Sequence, residues 1–268
     1  MRANSYAPEA YRRFQIFTVS GYLRSLDARV IASILGFQAD NDILGNLCEI
    51  GVHHGRLFFM LALARRSDER SLAIDLFEDD AINSLSFEHR GRDRALFTNA
   101  RRLGISLSEI EVYKTSSFEV KADDILSRTG GPIRFFSIDG GHSYENLEND
   151  LVLAKRTLHE AGIIAVDDFF NRDWPEVTFA IYDFIKQTNE MIPFLLSPGK
   201  IYLARAGTAT TYQFAVRKAN PNAKGKFVRF LNHEVYYVYY RLPRWALSRA
   251  YDLAIGYGVR VLHPRRER

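Results

Sequence analysis

Five short apolar runs, each followed by a stretch with helical spacing, limit what this chain can fold into. The runs are Asn46 to Ile50, Ser71 to Leu76, Ile110 to Lys114, Ile133 to Ile138 and Gly162 to Val166. Helical patterns follow them at Gly55 to Arg66, near Arg92 to Leu103, around Phe118 to Ser127, at Tyr144 to Glu160 and at Pro175 to Gln187. Apolar runs of this length read as buried strands, and their alternation with helices predicts a parallel, doubly wound α/β sheet. Phe194-Leu195-Leu196, a Ser197-Pro198-Gly199 turn and Ile201-Tyr202-Leu203 predict an antiparallel hairpin at the end. The expected fold is therefore a mostly parallel, seven-stranded Rossmann-like sheet closed by that hairpin. Residues 1–43 form a helical lead-in: Tyr22, Leu23, Leu26, Val30, Ile31, Ile34 and Leu35 recur at three- and four-residue intervals, as in a segment that packs on the sheet or covers the site. Residues 44–206 are the main domain, and 207–268 a basic, aromatic extension in which Gly207 to Thr211 reads as a break, Tyr212 to Val216 as an added strand and Ala219 to Gly225 as a loop.

The chain has 268 residues, of which 47% are apolar and 13% aromatic, enough for one large α/β domain with appendages. Its one cysteine, Cys48, lies in a strand-like run and suits core packing. No disulfide can form within the chain, which fits a reducing compartment. The first residues lack an apolar signal core, and no run approaches the ~20 apolar residues of a membrane span. A cytoplasmic protein is expected. The net charge of +4 is unevenly spread: Arg217 to Arg268 holds 12 basic and 3 acidic residues, so the tail carries +9 and the rest −5. Such a tail suits an anionic surface, or simply solvent.

Acidic residues close two of the predicted strands. Ile138-Asp139-Gly140-Gly141-His142 ends the fourth and Val166-Asp167-Asp168 the fifth. Ligands of open α/β sheets bind at the carboxyl ends of the strands. Three carboxylates there are costly to hold together without a cation. A divalent-metal site with His142 as adjacent general base is expected, and oxygen-only ligands suit Mg²⁺ or another hard divalent cation. On the other side of the sheet edge, Glu49-Ile50-Gly51-Val52-His53-His54-Gly55 turns the first strand into the first helix. Gly51 permits a tight turn and Gly55 a close helix start. Glu49 disfavours the pyrophosphate of a dinucleotide and tolerates a cationic ligand such as S-adenosylmethionine. Asp75, closing the second strand, is placed to accept hydrogen bonds from ribose hydroxyls.

These residues resemble the class I S-adenosylmethionine-dependent methyltransferases over roughly residues 44–205. Glu49, Gly51 and Gly55 match the family's first motif, with His53 where a central glycine is common, and Asp75 matches its ribose-binding acid. Ser116 and Ser117 follow the third strand, where the family contacts adenine. The resemblance thus implies S-adenosylmethionine held by Glu49, Gly51, His53, Gly55, Asp75, Ser116, Ser117 and Asp139. The D-G-G-H and D-D elements look most like the metal-dependent macrocin- and mycinamicin-type sugar O-methyltransferases. That likeness implies Mg²⁺ on Asp139, Asp167 and Asp168, His142 as catalytic base, and an acceptor hydroxyl on a sugar or glycosylated metabolite. Catechol enzymes, with lysine at the position of His142, are more distant.

A catechol-like phenol methyltransferase, a nicotinamide-dependent Rossmann oxidoreductase and a non-catalytic binding module are the rival readings. The acidic body and the lack of a recognition motif speak against nucleic acid. The segment Val235 to Tyr240, followed by Arg241, Arg244 and Trp245 to Ile255, suits a membrane surface, a lipid-linked glycan, a partner subunit or the domain's own face. Homo-oligomers occur among the sugar enzymes. His89, in a stretch suited to covering a substrate, is a candidate contact.

Overall fold

The computed structural model describes residues 7–77 and 92–239. His89, Arg241, Arg244 and Trp245 to Ile255 lie outside the described residues. The chain begins with α1 (Ala7–Ala10), wider and tighter turns over Tyr11–Gln15 and Ile16–Thr18, and α2 (Ser25–Asp40). Strands and helices then alternate: β1 (Asn46–Ile50), α3 (Phe58–Ala64), β2 (Ser71–Asp75), α4 (Arg92–Arg102), β3 (Ile110–Lys114), α5 (Ala122–Thr129), β4 (Ile133–Ile138), α6 (Tyr144–Thr157), β5 (Leu158–Asp167) and α7 (Pro175–Thr188). The hairpin β6 (Met191–Leu196) and β7 (Lys200–Arg205) follows, then α8 (Ala206–Ala219), β8 (Lys224–Phe230) and β9 (His233–Tyr239).

All strands join one sheet in the order β3-β2-β1-β4-β5-β7-β6-β9-β8. Strands β1 to β5 are parallel, and β7 runs antiparallel between β5 and β6. The doubly wound α/β class and its closing hairpin are as the sequence predicts. The seven expected strands are extended by two more, because β9 pairs parallel with β6 at Leu195 and Leu196 and carries β8 on its far side. Two apolar layers cover the sheet, one built on α2, α3 and α8, the other on α6 and α7. Every residue of β1 and β4 is buried, including Cys48, so their mostly apolar runs reflect burial on both faces.

Helix starts follow local chemistry. Ser143 caps α6 by accepting a hydrogen bond from the Asn146 amide, and Leu147, Asp150, Leu151, Ala154 and Thr157 then fall on its buried face. Pro175 stands at the start of α7, where a missing N–H costs nothing. Gly130 ends α5 in the left-handed region.

Several boundaries differ from expectation. Tyr212 to Val216 is part of α8 and not a strand, and Gly207 to Thr211 is its first turns. Ala209, Tyr212 and Val216 are buried at helical spacing, and Tyr212 bridges layers by accepting from Gln38 Nε2 at 3.0 Å and donating to the Ala161 carbonyl. Packing overrode the strand preference of Thr, Tyr and Val there. The loop ends earlier than Gly225, since β8 starts at Lys224. Helix α6 stops at Thr157 and hands over to β5 at Leu158, four residues before the expected Gly162. Tyr22 and Leu23 precede α2, whereas Leu26, Val30, Ile31, Ile34 and Leu35 are buried on it as their spacing predicts.

Candidate active site

Two glycines set the edge of the sheet. Gly51 has φ +81, and a Cβ there would stand 1.8 Å from the Asp139 carbonyl oxygen. The turn after β1 is thus pressed against the turn after β4, and only glycine allows both the conformation and the approach. The Asp139 amide donates to the Ile50 carbonyl (2.8 Å) and the Gly51 amide to Ile74 (2.9 Å), so the three strand ends are tied at one level. Gly55, at φ +92, opens the approach to α3, where Phe59 and Leu96 close over it.

Asp75 fixes that turn. One of its carboxylate oxygens accepts from the Val52 and His53 amides at 2.7 and 2.8 Å, the other from Phe77 at 2.7 Å. A carboxylate offers about four acceptor sites, so about one remains for a ligand hydroxyl. Ser116 and Ser117 lie at the neighbouring strand end, where the Thr115 amide donates to the Asp75 carbonyl at 3.2 Å. Ser116 Oγ accepts from the Phe118 amide (3.4 Å), and the Ser117 carbonyl accepts from Asn149 Nδ2 (3.0 Å). Below them lies Asp150, a fully buried acid absent from the sequence-based set, which burial pushes up to about 6 against hydrogen bonds from Ser117 and Asn149.

The lead-in covers the first turn, one of the two roles its spacing suggests. Tyr11 donates to the Arg56 carbonyl (2.8 Å), Arg56 to Val19 (2.7 Å) and Arg102 to Thr18 (2.7 Å). His53, at φ +54, has its ring beside His54 and Tyr22.

Glu49 is 2% exposed. One of its oxygens accepts weakly from Ser137, its cross-strand neighbour, at 3.4 Å; the other has no hydrogen-bond partner among the described residues. Burial pushes the acid up to about 8, against the opposing influence of Lys200 and Ser137. An orphaned buried carboxyl oxygen beside the glycine turn is suited to a cationic ligand group.

Across the edge, Asp139, His142 and Asp168 each present one ligand atom, all within 4.8 Å of one another. Asp168 adopts φ +56, a conformation aspartate tolerates better than most residues, and this turns it away from the line of β5. It lies 2.9 Å from His142 Nε2 and accepts from Asn171 at 2.7 Å. Burial alone would raise Asp168, but these two contacts outweigh it and hold the acid below its ordinary value. Trp174, just before α7, stacks on the His142 ring at 4.4 Å and 14°. Asp139 is pushed well above its ordinary value by burial and then by Asp167, with Lys200 opposing. Crowded acids beside an imidazole fit a hard divalent cation, whose charge would relieve that crowding.

Asp167 stays beside Asp139, whose rise it contributes to through a side-chain hydrogen bond, but lies outside the group of three. It is paired across the sheet with Lys200, in register, and its carboxylate lies 2.8 Å from the Lys200 ammonium. The group of three therefore contains His142 in place of Asp167. No local sequence pattern marks Lys200, Asp27 or Trp174; the cross-strand register, the packing of α2 and the start of α7 bring them here. A cavity of about 680 Å³ between the first helices contains none of these residues, and the chemistry, not the cavity, locates the site.

Residues 48–169 match a family model described as a methyltransferase domain. The chain is similar to that domain over this stretch. Its boundaries take in the glycine turn, Asp75, Asp139, His142, Asp167 and Asp168, and leave Lys200 outside. An uncharacterized protein, R132, of Acanthamoeba polyphaga mimivirus is 26% identical over 139 residues, covering 52% of this chain and 56% of that protein. The match thus spans just over half the length of that curated relative. Among solved structures, the O-methyltransferase NovP superposes with a TM-score of 0.55 at 14% identity, covering 69% of this chain and 83% of that one. CalS11, a TDP-rhamnose 3'-O-methyltransferase, gives 0.50 at 21% identity over 75% and 83%. An O-methyltransferase from Bacillus cereus in complex with SAH gives 0.50 at 14% over 75% and 91%. At these identities the likeness establishes the methyltransferase fold. Among the described residues no helix is long and apolar enough to cross a membrane.

Proposed function

We propose that the protein transfers a methyl group from S-adenosylmethionine to a hydroxyl of a sugar or glycosylated metabolite, with a hard divalent cation such as Mg²⁺ at the reacting oxygen. The observation that carries this reading is the meeting of Asp139, His142 and Asp168 within 4.8 Å. When bound, S-adenosylmethionine supplies an electrophilic methyl and the cation a charge that stabilises a deprotonating acceptor oxygen. Glu49, Gly51, His53, Gly55, Asp75, Ser116 and Ser117 line the cofactor side, and Asp139 and Asp168 hold the cation. Mg²⁺ keeps several waters and needs only one or two carboxylates, so His142 stays free for proton transfer. Nε2 lies 2.9 Å from Asp168; with the proton on that nitrogen, Nδ1 carries the lone pair that takes the acceptor proton. Trp174, 38% exposed and stacked on His142, offers an apolar face for a sugar ring.

The test is release of S-adenosylhomocysteine with panels of glycosylated metabolites and of catechols, with Mg²⁺ or with chelator. A sugar methyl ether formed only with Mg²⁺ is expected. Turnover of catechols alone would move the acceptor class, and undiminished rates in chelator would remove the cation. Binding of NADH in preference to S-adenosylhomocysteine would replace the reaction altogether.

Cofactor binding should also release a proton. Glu49, pushed to about 8, is mainly neutral at pH 7, and a cationic group beside it favours its ionised form. Calorimetry at pH 7 in buffers of different ionisation enthalpy should show close to one proton released per S-adenosylmethionine, fading above pH 9 and absent in Glu49→Gln. The same raised value makes folding favour the neutral acid. That contribution is present below the ordinary carboxyl range and lost as pH rises through 8.

A further inference from the structure

The adjacent acids at the end of β5 serve different partners. Asp168 turns to His142, while Asp167, the last residue of the strand, faces Lys200 at 2.8 Å. Lys200 is 1% exposed, so its ammonium has no bulk water. Asp27 of α2, 2% exposed, completes the surroundings: it accepts from the Gly199 amide at 3.4 Å, and a Cβ on Gly199 would lie 2.9 Å from Asp27 and 3.3 Å from Asp167. Asp167, Asp139 and Asp27 act electrostatically on Lys200, and Lys200 acts on Glu49. One buried cation thus stands among four acids, held by the backbone register of two strands.

We propose that Lys200 is a resident counter-cation that withdraws Asp167 from the divalent site, leaving Asp139 and Asp168 as its carboxylate ligands. This rests on the metal-dependent reading above and goes beyond it. Lys200 is a positioning residue. Its fixed charge balances the buried acids, so the fold does not depend on bound metal. The same charge repels a dication a few ångströms away and weakens its affinity. Lysine suits this duty as a compact charge on a long stem that can be buried whole.

Mn²⁺ binding followed by electron paramagnetic resonance on the full chain tests the proposal, together with thermal midpoints in chelator. Wild type should melt at nearly the same temperature with and without chelator. Lys200→Met should bind Mn²⁺ about 10-fold tighter or more. In chelator its midpoint should fall by about 10 °C, because Asp167 is left buried without its partner, and Mn²⁺ should restore most of that loss. If Lys200→Met does not fold, the double variant Asp27→Asn/Lys200→Met removes an acid with the base and should still bind Mn²⁺ more tightly than wild type. Unchanged or weaker Mn²⁺ affinity in the folded variant overturns the role of Lys200 and leaves the methyltransferase reading standing. Absence of Mn²⁺ binding in all three proteins, with S-adenosylhomocysteine still bound, overturns this role together with metal dependence.

Discussion

His142→Ala should lower methyl transfer by ~10²- to 10⁴-fold while S-adenosylhomocysteine and Mn²⁺ affinities stay within a few-fold. The imidazole is held in one orientation from two sides, by Asp168 at 2.9 Å and by the stacked Trp174 ring at 4.4 Å. That preorganisation serves a proton acceptor, whose efficiency depends on its aim. Single-turnover rates with S-adenosylmethionine and acceptor, alongside Mn²⁺ titration, separate the two roles open to His142. A loss of rate alone identifies a base. A ~100-fold loss of Mn²⁺ affinity would instead make His142 a ligand, and the proton would then need another acceptor.

Arg134→Met should destabilise the fold by about 3–5 kcal/mol. Arg134 is 1% exposed and forms a two-pronged pair with Glu69, at 2.9 Å from Nε and 2.8 Å from Nη2. Its Nη1 donates to Gln38 Oε1 at 2.7 Å, Nη2 also to the Ala64 carbonyl at 3.0 Å, and the Nε–H is shared with the Gly45 carbonyl at 3.1 Å. Glu69 in turn accepts from the Gly45 and Arg66 amides at 3.1 and 2.9 Å. Removing the guanidinium strands a buried carboxylate, which is the costly direction; replacing both partners by apolar residues of similar volume should recover much of the loss. Denaturant midpoints of Arg134→Met and of Arg134→Met/Glu69→Leu check this. A single variant within 1 kcal/mol of wild type would show that the pair contributes little. Arg134 lies near the start of β4 and the reacting groups follow its end, so cofactor affinity below the melting range should hardly change.

The two experiments probe opposite ends of the same strand, and legibility in the sequence differed in the same way. The apolar runs announced β1 to β7 because strands inside a parallel sheet are mostly apolar, with Glu49 and Arg134 as buried exceptions. Ser143 before α6 announced a helix start that the structure shows, with Asn146 donating to its hydroxyl. The turns holding Gly51, Asp139 and His142 could be placed because strand ends in a parallel sheet share an edge. Strands β8 and β9 were not legible as part of the sheet. Polar and exposed along most of β8, they join through two residues of β6, a contact no local pattern encodes. Tyr212 was misread for a related reason: strand-favouring residues sit on the buried face of a helix because α2 and β6 are there to cover them.

Local patterning along the chain decided the class of fold, the order of its elements and which residues arrive at the strand ends, since hydrophobic period and turn chemistry act over a few residues. Tertiary structure alone decided how the acids divide among partners. Asp167 and Asp168 are neighbours in sequence and alike in chemistry, yet the register of β5 with β7 gives one to Lys200, and a left-handed turn gives the other to His142. Charge pairing depends on distances of a few ångströms between residues 26 and 33 positions apart in the chain, and only the folded chain sets those distances.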